Sequence, residues 1–138
     1  MPMIKLLAVS FGAVVTDIRI ADMDEAEWRV VEDAFHELAA LVVPDQHLSE
    51  EEQIALGERF GDLELLRPDP SKKAVPISNL KEDGSPYAPG EGRFKTLRGN
   101  EGWHTDSSYM PLAAKASILA AIKVPSTGGE TELADMRD

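Results

Sequence analysis

Apolar and polar positions along the first third of the chain follow two different rhythms. Ile4 to Ala8 and Phe11 to Ile20, rich in Val and Ile, read as two short strands around a turn at Ser10 to Gly12. Trp28, Val31, Phe35 and Leu38 then recur at three- and four-residue intervals, which predicts a helix with one apolar face. Asp22, with Glu25 three residues on, reads as the capping box that opens it. Leu41 to Val43 reads as a short buried strand that Pro44 ends. Ser49 and Glu52 repeat the capping-box pattern and predict a second helix through Ile54, Leu56 and Phe60, with Gly61 as its stop. Both helices read as scaffold.

Beyond Arg67 both rhythms break up. Pro68, Pro70, Pro76, Pro86 and Pro89, with the Asp83-Gly84 turn signal, leave only Val75 to Leu80 strand-like and predict a long mobile loop over 67–92. Such a loop is either a lid over a site or an ordinary surface connection. After Gly99 the strand rhythm returns. Trp103 to Tyr109, Ser117 to Val124 and Glu130 to Met136 are predicted strands, with Ser126-Thr127-Gly128-Gly129 turning between the last two. Helices followed by several short strands place the chain in the α+β class, with an antiparallel β core and N-terminal flanking helices.

Composition refines this picture only slightly. With 138 residues, 43% of them apolar and 28% charged, the chain has the balance of one globular domain. Its 25 acidic and 14 basic residues give a net charge of -11, which argues against nucleic acid or an acidic membrane surface as a partner. Cysteine is absent, so neither disulfides nor thiolate metal sites arise. No signal-peptide pattern or long apolar span is evident, and a soluble cytoplasmic protein is the expectation.

The chemistry concentrates in Trp103-His104-Thr105-Asp106-Ser107-Ser108-Tyr109-Met110. Residues two apart on a strand leave the backbone on the same side, so His104 and Asp106 can meet one cation. An imidazole and a carboxylate are two of the three ligands of the 2-His-1-carboxylate facial triad that holds Fe(II) in oxygenases. Taken alone, a His-x-Asp pair is more often a surface hydrogen bond. His36, inside the first helix, and His47, in the loop before the second, are given no metal role.

The stretch from Gly99 to Arg137 resembles the taurine dioxygenase/2,4-dichlorophenoxyacetate dioxygenase family of Fe(II)- and 2-oxoglutarate-dependent oxygenases, in both its WHTDSSY and its VPSTGGETELADMR segments. Looser likeness extends upstream through Phe11-Gly12-Ala13, Asp45 to Ser49, Arg59-Phe60-Gly61 and Ile77-Ser78-Asn79. The resemblance implies a jelly-roll (double-stranded β-helix) core, with residues 1–138 as the N-terminal part of a single oxygenase domain. The expected remainder would supply a distal His ligand and an Arg for 2-oxoglutarate, so that the jelly-roll is truncated here.

The same resemblance implies Fe(II) on His104 and Asp106, with 2-oxoglutarate as cosubstrate beside Thr131 and Asn100. Apart from it, Thr131 is a β-branched strand residue and Asn100 a turn residue next to Gly99. Trp103 is expected to pack in the core behind the ligand strand. Related halogenases leave the carboxylate position empty for chloride, and Asp106 fills it. Ser107 to Pro111 and the ADMR segment look closer to the aryloxyalkanoate branch of the family. That points to Lys95 and Ser107 as substrate contacts, Lys95 lying between Arg93 and Arg98 in a basic cluster that is otherwise a solvated face.

The implied reaction uses dioxygen to hydroxylate a small carboxylate-bearing, aryloxyalkanoate-like substrate with release of succinate and carbon dioxide; hydroxylation beside an ether oxygen would free a phenol. Readings from other classes are a catalytically incomplete half-domain acting as a binding or assembly module, with a second copy completing its sheet as a homo-oligomer, or a metal-dependent hydrolase with a Zn-bound water.

Overall fold

The computed structural model describes residues 1–8, 11–64 and 71–137, so Ser10 and positions 67–70 of the expected loop lie outside the described residues. The chain divides into two units, one formed by Met1–Leu56 with Leu119–Asp138 and the other by Gly57–Ile118.

In the first unit a three-stranded sheet runs in the order β1 (Met3–Leu6), β2 (Ala13–Thr16), β3 (Leu41–Val42). β1 pairs with β2 antiparallel, Ile4 opposite Val15, and β2 pairs with β3 parallel, Ala13 opposite Leu41. Alternation along β2 sends Ala13 and Val15 into the core, where both are fully buried. The observed strands are shorter than the apolar runs that predict them.

The first helix, α1 (Glu25–Leu38), buries Trp28, Val31, Ala34 and Leu38. Its cap lies two residues later than the sequence suggests. Asp24 Oδ1 accepts from Ala26 N–H at 2.9 Å and Glu27 N–H at 2.8 Å, while Glu27 Oε2 accepts from Asp24 N–H at 3.2 Å. Asp22 instead ends a 3₁₀ turn, Ile20–Asp22, and pairs with Arg19 at 3.3 Å in the open.

The chain contains both Asp-x-x-Glu patterns, and burial decides between them. Starting at Asp24 puts Met23 and Trp28 at the N′ and N4 positions of a hydrophobic staple, and both are buried. Burying a Val or Leu side chain contributes about 1.5–3 kcal/mol. An exposed pair such as Arg19–Asp22 contributes at most about 1 kcal/mol, so it cannot set the start of the helix.

α1 ends at Ala39, which takes a left-handed φ of 61° and donates its N–H to Phe35 O at 2.8 Å. The adjacent carbonyls are taken up by the sheet: Gly12 N–H reaches Leu38 O at 2.9 Å and Ala13 N–H reaches Ala40 O at 3.0 Å. Gln46 fixes the turn after β3 by accepting from Ile20 N–H at 2.8 Å and donating to Pro44 O at 2.8 Å and Ile18 O at 3.2 Å. Near the other end of the unit Arg137 forks onto Asp135, with Nη2 2.6 Å from Oδ2 and Nε 2.8 Å from Oδ1, and these bonds hold the Asp135 pKa down at about 2.

The second helix, α2 (Glu50–Phe60), opens with the expected box: Ser49 N–H donates to Glu52 Oε2 at 2.7 Å and Glu52 N–H to Ser49 Oγ at 3.2 Å. It ends at Gly61, where φ is 137°. Within the second unit, Gly57 lies so close to Leu63 that a Cβ there would come within 2.8 Å of its Cδ2.

Part of the expected loop carries structure of its own. Leu80 and Pro86 form an antiparallel bridge, Lys81 pairs with Glu91 at 3.0 Å, and Arg93 Nη2 donates to Pro76 O at 2.7 Å. A third helix that the sequence reading missed follows, α3 (Gly92–Gly99). Its apolar signal is only the Phe94 and Leu97 pair, both half-buried.

The three strands expected after Trp103 are absent among the described residues, where 103–136 forms turns and irregular segments. A strand exists through its hydrogen-bonded neighbour, and none of these segments has one there. Leu119, Ile122, Val124 and Leu133 are accordingly exposed, and Trp103, expected in the core, is 72% exposed. The α+β class stands, with three α-helices and one small sheet among the described residues. None of these helices is long and apolar enough to cross a membrane.

Asp24→Ala is expected to lower the unfolding free energy by about 1 kcal/mol, since it removes the side-chain oxygen that accepts from the Ala26 and Glu27 N–H groups. Asp22→Ala is expected to change it by less than about 0.5 kcal/mol. Denaturant unfolding followed by circular dichroism separates the two, and equal losses would return the cap to Asp22.

Candidate metal centre

His104 and Asp106 meet, although not by the route that a strand would supply. Residues 106–109 form a turn, closed by Met110 N–H donating to Ser107 O at 3.0 Å and Ser108 Oγ to Thr105 O at 3.3 Å. Ser107 adopts a left-handed φ of 58°, a conformation that disfavours residues with a Cβ and is held here by tertiary bonds. Curling of the backbone, rather than strand alternation, brings the two side chains together.

The resulting geometry is specific. His104 Nδ1 lies 2.8 Å from Gly102 O, and Nε2 lies 3.2 Å from Asp106 Oδ1. Since a carbonyl only accepts, Nδ1 carries a proton, and in the neutral ring that leaves Nε2 as a lone pair facing a carboxylate oxygen. Two acceptors at this separation need a positive group between them, either a proton on Nε2 or a metal ion. Consistent with the first, the Gly102 carbonyl raises the His104 pKa above its ordinary value and the Asp106 charge adds to the effect, against some desolvation.

The same arrangement fits a metal. Adjacent ligands held at about 2.0–2.2 Å from one cation sit about 3 Å apart, and a ligating His ordinarily gives its other N–H to a carbonyl or carboxylate. Both side chains are about half exposed, leaving room for further ligands. Among the described residues no three His, Asp or Glu side chains gather around one point, so the pair has no third protein ligand there. His36 lies on α1, 4.0 Å from Glu32. His47 precedes α2 in a left-handed turn at φ 49°.

The remaining candidates are spread over both units. Asn100 caps α3 through its backbone N–H, which reaches Leu97 O at 3.1 Å. Lys95 is exposed on α3. Its basic neighbours are engaged, Arg93 with Pro76 O at 2.7 Å and Arg98 with Glu101 at 2.9 Å, whereas the Lys95 ammonium has no partner among the described residues. Thr131 is exposed and belongs to the unit that contains the sheet.

Ser107 is buried, 6% exposed, and its hydroxyl is used twice: it donates to Glu64 Oε2 and accepts from Ala114 N–H at 3.2 Å. Sequence reasoning overlooked Glu64. The available signal was a carboxylate inside the apolar run Leu63-Glu64-Leu65-Leu66, where an acidic side chain needs a partner. It also overlooked the Gly102 carbonyl, a backbone group without a sequence signature.

Comparison with known proteins places the chain in a family. Over 133 residues the chain is 47% identical to an (S)-phenoxypropionate/alpha-ketoglutarate-dioxygenase from Sphingobium herbicidovorans, covering 95% of this chain and 44% of that protein. A protein of the same description from Delftia acidovorans is 39% identical over 132 residues, covering 93% of this chain and 44% of the relative. The chain thus spans less than half the length of the relatives it matches. The crystal structure of AAD-2 in complex with Mn(II) and N-oxalylglycine superposes with a TM-score of 0.71 at 31% identity, covering 82% of this chain and 39% of that one. Residues 4–138 match the family model described as "Taurine catabolism dioxygenase TauD, TfdA family", and the chain belongs to that family.

Proposed function

We propose that this chain carries the metal-ligand segment of an Fe(II)- and 2-oxoglutarate-dependent dioxygenase, which hydroxylates a small carboxylate-bearing, aryloxyalkanoate-like substrate with dioxygen and releases succinate and carbon dioxide. The observation that carries the reading is the His104–Asp106 pair, with Nε2 and Oδ1 3.2 Å apart and Nδ1 committed to Gly102 O. The relatives named as phenoxypropionate/alpha-ketoglutarate dioxygenases support it. Pairing of the exposed apolar segments after Trp103 into a jelly-roll belongs to the same proposal, since such a fold would cover them.

Bound Fe(II) with 2-oxoglutarate would supply the oxidising chemistry. The residues of this chain hold, orient and discriminate. His104 and Asp106 hold the metal, and the Gly102 carbonyl fixes the ring so that Nε2 faces it. Thr131 donates its hydroxyl to a carboxylate of 2-oxoglutarate, and Asn100 borders cosubstrate or substrate. Lys95 meets the substrate carboxylate, favoured over Arg93 and Arg98 because those two already have partners. Ser107 is the second proposed substrate contact, its hydroxyl being bonded as well to Glu64 and to Ala114 N–H.

In the full-length protein, succinate release is expected to require both dioxygen and 2-oxoglutarate and to vanish in His104→Ala and Asp106→Ala. Succinate formation without oxygen consumption would sink the oxygenase reading. Thr131→Val is expected to raise the half-saturating 2-oxoglutarate concentration by the equivalent of about 1–2 kcal/mol while sparing metal binding; unchanged kinetics would remove Thr131 from the site.

Lys95→Met is expected to impair turnover of aryloxyalkanoic acids mainly through KM, because the ion pair is equally present in ground and transition states. Its KM should also depend less on ionic strength than that of the parent. Wild-type behaviour of Lys95→Met, with losses in Arg93 or Arg98 variants, would move the cation to those positions.

A further inference from the structure

We propose that Glu64 is a positioning residue for the metal-ligand turn: it grips the Ser107 hydroxyl and thereby holds Asp106 against His104. The proposal rests on the metal reading above and extends it to a residue that touches neither ligand. Ser107 directly follows Asp106 and sits in a left-handed conformation at φ 58°. A non-glycine residue keeps that conformation only where its surroundings over-determine it.

Here the surroundings are two bonds to one buried hydroxyl, donation to Glu64 Oε2 and acceptance from Ala114 N–H at 3.2 Å. Glu64 lies 43 positions away in sequence, so the bond reaches across the second unit rather than forming within the turn. Ser107 is peptide-bonded to Asp106, so anchoring its buried hydroxyl pins the end of the segment that carries the carboxylate. Releasing the Ser107 hydroxyl would therefore free the turn that keeps Asp106 Oδ1 at 3.2 Å from His104 Nε2.

The choice of residue supports the same conclusion. Glu64 Oε1 is buried without a hydrogen-bond partner among the described residues. A polar atom left in that state costs stability, and an apolar side chain would avoid the penalty. Glu64 makes one side-chain bond among those described, and it goes to the residue beside a metal ligand. An acceptor for a serine hydroxyl at this site is what the position provides.

The test uses full-length protein with Co(II) as the metal probe and three variants. Glu64→Ala and Ser107→Ala are each expected to weaken Co(II) binding, followed by visible absorption, about tenfold or more, and to shift or broaden the His104 ring resonances of the metal-free protein. The double variant should lose no more than either single one, because both act through one bond. Glu64→Gln keeps an oxygen acceptor and is expected to recover most of the affinity.

Val31→Ala, a core substitution on α1, provides the reference for general destabilisation. It should lower the unfolding midpoint and leave Co(II) affinity and the His104 resonances as in the parent. If Glu64→Ala speeds amide exchange at Ala114 but leaves Co(II) affinity and the His104 ring unchanged, Glu64 serves folding alone and the proposal is overturned. Should the parent bind no Co(II), the metal reading falls separately, and the His104 resonances in Glu64→Ala and Ser107→Ala still decide whether Glu64 positions the pair.

Discussion

The described fold depends on the handover of hydrogen bonds where α1 stops and the sheet begins. A helix end leaves carbonyls without partners, and burying them unpaired would cost more than the local packing returns. Ala39 turns left-handed there, and the Gly12 and Ala13 N–H groups take the Leu38 and Ala40 carbonyls at 2.9 and 3.0 Å. One set of bonds thus ends the helix, sets the parallel register of β2 on β3, and directs Ala13 and Val15 toward the face that α1 covers. Gln46 then secures the exit from β3 with three further bonds from its side-chain amide to backbone groups.

The second unit solves a different problem. His104 and Asp106 lie on backbone with no strand neighbour among the described residues, so a ladder cannot keep their spacing. A turn, a left-handed serine and a carbonyl do so instead. That solution is local in the ring, where Gly102 sits two residues from His104, and long-range in the carboxylate, where Glu64 reaches Ser107 from the far side of α3 in the sequence.

What the sequence made legible follows the range of the interaction involved. Periodicity and capping patterns are short-range, and they located α1, α2 and the strand core of β2. They misplaced the α1 cap because Asp22-Met23-Asp24 offers two equivalent starts and only the burial of Met23 and Trp28 separates them. They missed α3 because Phe94 and Leu97 make too narrow an apolar stripe between glycines. The segments after Trp103 have strand-like composition, yet composition reports a capacity to pair and says nothing of a partner. Within the candidate site, the His104 and Asp106 pair was legible from its motif, whereas Glu64 was not, since nothing near it in sequence announces Ser107.

The His104–Asp106 pair also carries a tension that its geometry makes explicit. Committing Nδ1–H to Gly102 O aims the Nε2 lone pair at a carboxylate, which is what a cation needs, and the same field raises the ring's affinity for a proton. Proton and metal would therefore compete for one position, and ligation would have to release whatever proton is present. Separating the two acceptors would relieve the competition but would also forfeit the pre-set spacing that lets both reach one ion. A turn held open at 3.2 Å keeps that spacing at the expense of a bound proton, which would leave readily on metal binding, whereas two side chains out of position would have to be ordered anew.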